Sequence, residues 1–488
     1  MEYDPLDVHS EQLLRGEAKR QEVPINIAVG GGFTVYKRRW FVLFVVALHA
    51  ASAQMIWLSF SPVATEAAKF YNVPVSRINL FSLMFLILSI PMGFVAAWLL
   101  DTYGLRPGIL LASWVNTIGG VVRIISTLDF VPKSHAFSVA MAGQVIAATV
   151  YPVFTSCPTK VANKWFGENQ RSVATMIGTF PLGYLLANLL SPLLIKKEPP
   201  GMGGIEFMLI IICVPSAFGT LLATFGLCNS LPPTPPSRAA ERQDEPFWTG
   251  FKEILKIRSF WILMVLCGCG VGLFNAVSLL LEQILCPHGY TPTFAGICGA
   301  LIIGVGFIGA VTASIILDRT KMYDEICKVM LCLGSIAMSF LAAVGSISDK
   351  KVSVAVGSAI TGFFLCGSYP IVLELAVEAT YPIAQATSTG LILISGHIQG
   401  IAYTFAMQAL GRPLPDHLVD VQQCNKGNQT VTFYAEDTNS DLPDDMTWSM
   451  LFAAGLMSLT VISFTLLFST EYKRRNTENA LNYSRLTL

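Results

Sequence analysis

The chain has 488 residues, 53% hydrophobic and only 13% charged, where a soluble domain carries about 25% charge. Thirty-two basic residues balance 32 acidic ones, so the charge carries no general affinity for nucleic acid. Composition therefore excludes a string of soluble domains and points to lipid as the solvent.

Residues 1–39 are polar and form a tail containing Arg15, Lys19, Arg20, Lys37, Arg38 and Arg39. The tail is no signal peptide, because the apolar run after it is too long for an h-region. About twenty apolar residues cross a bilayer as a helix, and a helix satisfies its own backbone in lipid. In chain order such runs lie near 40–63, 79–100, 108–127, 136–158, 172–195 and 205–228. Residues 229–259 break the pattern with Leu231-Pro232-Pro233-Thr234-Pro235-Pro236, which cannot continue a helix. The stretch Phe247 to Arg258 mixes aromatic, aliphatic and basic residues and predicts a short helix lying on the membrane surface. Further runs follow near 260–284, 293–317, 325–346, 352–375, 384–410 and 447–469, with a polar loop at 411–446 and a tail at 470–488. The expected fold is an all-α polytopic membrane protein of twelve transmembrane helices in two pseudo-symmetric six-helix bundles, 40–228 and 260–469.

An even number of spans leaves both termini on one side. Most basic residues, including Arg106, Lys160, Lys164, Arg258, Arg319, Lys328 and Lys473, then share that side, which the positive-inside rule assigns to the cytosol. The loop 411–446 falls outside. It carries the sequon Asn428-Gln429-Thr430, a candidate glycosylation site at Asn428. Cys286 and Cys424 also fall outside, where a disulfide between them survives.

The second span ends Trp98-Leu-Leu-Asp101-Thr-Tyr-Gly104-Leu-Arg106, and the eighth ends Leu317-Asp318-Arg319-Thr320-Lys321. An aspartate at the C-terminus of its own helix is disfavoured by the dipole and needs a compensating base. We read Asp101, Arg106, Asp318 and Arg319 as a latch that joins the halves on the cytosolic side. The starts of the fifth and eleventh spans also match, Ala174-Thr175-Met-Ile-Gly178 against Ala386-Thr387-Ser-Thr-Gly390. Parallel six-span repeats are one of the transporter architectures.

The motif after the second span, and its echo after the eighth, resemble the signature of the major facilitator superfamily. Tyr36-Lys37-Arg38-Arg39-Trp40, Trp165-Phe166-Gly167 and Glu374-Leu-Ala-Val-Glu378-Ala-Thr-Tyr-Pro382 are similar to solute carrier family 49, the branch of heme- and choline-linked retroviral receptor proteins. Leu280-Leu-Glu282-Gln283-Ile-Leu-Cys286 and the proline-rich linker look most like its orphan member. The resemblance implies alternating-access transport of a choline-like amine, heme or a vitamin-like solute. It implies no enzymatic activity and no cofactor. The chain departs from the choline carriers at the pocket. Met55 stands where their first-span tryptophan lies, with Trp57 nearby; Asn275 replaces a tyrosine, and His397 a glutamine.

Substrates of such carriers bind at mid-membrane between the halves, where polar side chains are costly. His49, Gln54, Trp57, Gln144, Asn275, Tyr369, His397 and Gln399 lie at that depth, and all but His49 form the expected cavity set. Interhelical hydrogen bonding is the alternative for each. Glu374 and Glu378 read as salt-bridging residues. Glu282 and Arg123 lie near the outer ends of their spans. The expected partners are a small-molecule substrate and the lipid bilayer, for a monomer in the plasma membrane, with the endolysosome second. A receptor or scaffold that keeps the fold without transport stays open.

Overall fold

The computed structural model describes residues 34–167, 170–179, 181–195, 204–236, 252–320, 322–380, 385–419, 421–422 and 443–468. Among these, twelve helices are long and apolar enough to cross a membrane, from Arg38–Tyr71 to Thr447–Leu467. The chain is thus an all-helical, multi-pass membrane protein. The first span begins and the twelfth ends on one face, here the basic face.

Two spans depart from the simple runs of the sequence. The first is longer than 40–63. A helix Arg38–Leu58 passes through a tight 3-10 turn at Ser61–Val63 into a second helix, Ala64–Tyr71. Pro62 in that turn has no N–H to continue the helical ladder. The fifth span is split into Arg171–Thr179 and Leu182–Ile195, and Pro181 lies at the break for the same reason. In the loop after the eleventh span, the backbones of Arg412 and Asp445 exchange hydrogen bonds of 3.1 and 2.7 Å, which draws its two ends together. Cys286 is disulfide-bonded, and nine other cysteines are free. Cys424 and Asn428 lie outside the described residues, as do residues 247–251 of the expected surface helix at 247–258.

Helix pairing repeats with a period of six spans. In the first half the third span packs on the sixth, the second on the fourth and the first on the fifth. In the second half the ninth packs on the twelfth, the eighth on the tenth and the seventh on the eleventh. The halves meet chiefly through the fifth with the eighth and the second with the eleventh. Lipid offers no hydrophobic drive between helices, so close packing needs small residues. A Cβ on Gly309 would lie 2.0 Å from the carbonyl oxygen of Phe363, and one on Gly362 would lie 2.1 Å from that of Ile302. The eighth and tenth spans therefore touch backbone to backbone.

Buried polar groups tie the first half together. His49 pairs with Ser113 at 2.9 Å and stacks on Phe154. Asn116 donates to Ser216 at 2.9 Å. Arg123, 1% exposed, donates to Ser59 Oγ at 2.6 Å and lies 4.8 Å over the Phe60 ring. It thereby caps the carbonyl end of the first helix where the 3-10 turn begins.

On the basic face the linker residue Ser230 is held by the first half. Its Oγ accepts from the Arg106 backbone N–H at 3.1 Å, and its carbonyl accepts from Trp165 Nε1 at 3.2 Å. Gly104, at φ 87°, faces the Ser230 hydroxyl; its backbone lies in the region that glycine adopts without strain. Thr234 bonds the Tyr36 hydroxyl at 3.0 Å. That bond and a second from Thr34 hold the Tyr36 phenol below its usual pKa.

The glycine contact gives a direct test. Gly362→Val forces the eighth and tenth spans apart and should cost about 1–3 kcal/mol of stability. A thermal melt of the purified protein should show a clearly lowered midpoint, and an unchanged midpoint would refute backbone contact at this site.

Candidate substrate cavity

The halves close on each other at the face opposite the basic one. Ser61, in the 3-10 turn of the first span, donates to the carbonyls of Ser278 and Leu279 in the seventh span, at 2.9 and 2.6 Å. Thr65 donates to Glu282 Oε1 at 2.8 Å. Asn79 of the second span and Gln283 of the seventh exchange amide hydrogen bonds of 3.2 and 2.7 Å. Asn188 of the fifth span fits over Gly296 and Gly299 of the eighth, where any Cβ would overlap it. Side-chain hydrogen bonds and glycine contacts thus seal one end of the interface.

Beneath that seal lies a cavity of about 390 Å³. It runs from Trp57 and Ser278 toward Met176 and Ser314, nearer the basic face. Its first-half wall is aromatic. Trp57 donates its Nε1 to the Ser82 carbonyl at 2.8 Å, which fixes the indole. Its ring packs edge-on against Tyr184, with centroids 4.9 Å apart, and lies 6.3 Å from Tyr151. The Tyr151 and Tyr184 hydroxyls are 2.6 Å apart. Tyr369 enters from the tenth span, near enough to interact with both phenols.

The second-half wall supplies two polar groups with spare bonding capacity. Asn275 and His397 line the cavity, and Asn275 Nδ2 and His397 Nδ1 are buried with no hydrogen-bond partner. Burying an unpaired polar group costs roughly 1–3 kcal/mol, so such groups mark where a ligand's polar atoms fit. No Asp, Glu, Lys or Arg lines the cavity among the described residues. The site is neutral, aromatic on one side and sparsely polar on the other.

Of the residues expected from sequence, the cavity brings together Gln54, Trp57, Asn275, Tyr369 and His397. Gln54 is committed, since its Oε1 accepts from the Gly183 N–H at 3.0 Å. Gln144 and Gln399 stand elsewhere. Gln144 shares a helical face with Tyr151 but sits two turns toward the seal. There it donates to the Phe81 carbonyl at 3.0 Å, and the first and second spans close over it. Gln399 lies two residues from His397, so a helix turns it to nearly the opposite side. It donates to the Val265 carbonyl at 3.1 Å and accepts from Tyr403 at 2.7 Å. His49 bonds Ser113 within the first half and does not line the cavity.

Tyr151, Phe154 and Tyr184 line the site, although polarity at mid-membrane gave no hint of them. The signal was present in aromatics near prolines within spans, Tyr151-Pro152 and Pro181-x-x-Tyr184. Of the expected latch, Arg106 opens the third span and Arg319 lies exposed in the last turn of the eighth. The side chains of Asp101, Asp318, Glu374 and Glu378 lie outside those described.

The seal itself is testable. Ser61→Ala with Asn79→Leu removes four of its hydrogen bonds, at roughly 0.5–1.5 kcal/mol each. Spin labels on Phe130→Cys and Lys350→Cys, one per half on the sealed face, should report a larger population of long distances. An unaltered distance distribution would mean that these bonds do not hold the face closed.

The Major Facilitator Superfamily profile matches residues 42–404. Solute carrier family 49 member A3 of Xenopus tropicalis is 40% identical over 448 residues, covering 91% of this chain and 89% of the relative. The protein of the same name from Danio rerio is 37% identical, covering 91% and 90%. The choline/ethanolamine transporter FLVCR2 of Homo sapiens is 29% identical over 386 residues, covering 76% and 72%. Among solved structures, a D-xylose–proton symporter superposes with a TM-score of 0.65 at 12% identity, covering 89% of this chain and 98% of that one. That last likeness concerns the fold alone.

Proposed function

The chain belongs to the Major Facilitator Superfamily and, within it, to solute carrier family 49, and from that premise we propose that it carries a choline-like organic ammonium across the membrane by facilitated alternating access. The observation that carries the substrate class is the aromatic wall of Trp57, Tyr151 and Tyr184 facing Tyr369. Aromatic faces attract a desolvated ammonium by about 2 kcal/mol or more, tryptophan most of all. Asn275 and His397 suit a hydroxyl or amine at the other end of the same molecule. The choline/ethanolamine transporters among its relatives support this reading. Met55 is buried, and the cage proposed here draws on the first, fourth, fifth and tenth spans.

The neutral lining supports a facilitative mode. No cavity carboxylate among the described residues exchanges a proton against the substrate. A monovalent cation crossing alone is driven by the membrane potential, about 2.3 kcal/mol per 100 mV.

The distribution of Arg38, Arg39, Arg106, Lys160, Lys164, Arg258, Arg319 and Lys328 supports a cytosolic basic face. The sealed face is then extracellular, and the cavity is offered to the cytosol. Closure of the basic face would join Asp101 and Arg106 with Asp318 and Arg319 as a latch. The plasma membrane is the proposed site, with Asn428 glycosylated and Cys424 closing the disulfide of Cys286.

Cells expressing the protein should take up radiolabelled choline or ethanolamine saturably. Trp57→Ala and Tyr184→Ala should each weaken apparent affinity roughly tenfold at unchanged surface expression, and His397→Ala should lower uptake. No saturable signal for either amine, with the protein confirmed at the surface, would reject the ammonium and favour a receptor that keeps the fold without transport. Depolarising the cells with potassium should reduce uptake, and a rate insensitive to potential but steep in pH would instead indicate proton coupling.

A further inference from the structure

The cavity is not symmetric between the halves. In the first half, no residue of the third or sixth span reaches it. In the second half, their counterparts do: Leu331, Met338 and Leu341 of the ninth span, and Met457, Val461 and Phe464 of the twelfth, all line it. These side chains are apolar, and the one polar residue the twelfth span adds, Thr460, turns its hydroxyl to Cys269 and the Leu456 carbonyl. Apart from Leu331, each apolar one is 5% exposed or less. The cavity therefore runs past the seventh and eighth spans into the interior of the second bundle. Small residues open the way. Gly270 and Ala310 line it, and a Cβ added at Gly270 would meet nothing within 4 Å.

A choline molecule does not need this space. Its ammonium and hydroxyl are met by the aromatic wall and by Asn275 and His397. A volume of about 390 Å³ is that of a drug-sized ligand site. An apolar chamber left without a ligand forgoes the dispersion contacts of its lining. We propose that the substrate is an amphipathic ammonium, whose charged head sits in the aromatic wall and whose aliphatic chain fills the chamber between the seventh, ninth and twelfth spans. The inference rests on the ammonium reading above and narrows it to chain-bearing amines.

The full-length protein in lipid nanodiscs can be titrated with tetramethylammonium, with butyl- and hexyltrimethylammonium, and with hexanol. Affinity should rise roughly fourfold per methylene until the chamber is full. Gly270→Leu fills the open space beside the seventh span, and Met457→Phe narrows the chamber from the twelfth. Each should reduce the gain from the hexyl chain at least tenfold while leaving tetramethylammonium binding unchanged. Two variants guard against misfolding of one, and retained tetramethylammonium binding reports a folded site. A flat dependence on chain length, or a gain equal in wild type and both variants, would overturn the chamber while the ammonium reading survived. Hexanol gaining as much as hexyltrimethylammonium would overturn the ammonium reading and this proposal with it.

Discussion

A polar group held at the depth of the hydrocarbon core must find its partner inside the protein, because lipid supplies none. That constraint organises the chain. Helices satisfy the backbone, and side chains settle the remainder locally. His49 turns to Ser113, Asn116 to Ser216, Arg123 to Ser59, Gln144 to Phe81 and Gln399 to Tyr403. Several of these still leave one buried atom unmet, as His49 Nδ1, Asn116 Oδ1, Arg123 Nε and Gln144 Oε1 do. Asn275 and His397 differ in lining the cavity while each holds an unpartnered nitrogen, so place as well as polarity singles them out.

The same constraint explains how the halves are held. Across the sealed face one tight contact, Asn188 over Gly296 and Gly299, is joined by a few side-chain hydrogen bonds, Ser61 to Ser278 and Leu279 and the Asn79–Gln283 pair. Each contributes modestly, and their number sets the bias toward the closed face. The tight glycine contacts of the eighth and tenth spans lie within one half, where nothing has to move. Strong packing inside a bundle and weak, exchangeable bonds between bundles are what rigid-body rocking about a central site requires.

Much of the fold was legible from hydropathy, since apolar length reports a membrane span almost directly. The repeated motif at Asp101 and Asp318 foretold two matching halves, and helix pairing repeats with the same period. Depth along a span was legible too, but rotation about its axis was not. Gln399 and His397 lie at one depth and face opposite ways; Gln144 and Tyr151 face one way at different depths. A sequence gives the axial coordinate of each side chain. Its azimuth depends on which neighbours pack where, and the chain alone leaves that open. The aromatic wall was missed for a related reason: in a chain this rich in phenylalanine and tyrosine, an aromatic residue in a span carries no mark of its own.

The break in the fifth span joins these levels. Pro181 interrupts the helical ladder, and the helix resumes at Leu182, leaving the Gly183 N–H without a carbonyl one turn behind it. Gln54 of the first span accepts that N–H at 3.0 Å. The contact is possible only because residue 183 is glycine, since a Cβ there would lie 2.0 Å from the Ala51 carbonyl oxygen. Pinning residue 183 to the first span sets the next residue, Tyr184, against Trp57 one turn beyond Gln54, with centroids 4.9 Å apart, and brings its hydroxyl to Tyr151. A proline, a glycine and a glutamine thus build the aromatic wall although none of them supplies its surface. The polar residue that depth alone nominates as a ligand is, in Gln54, the bracket that holds the aromatic one in place.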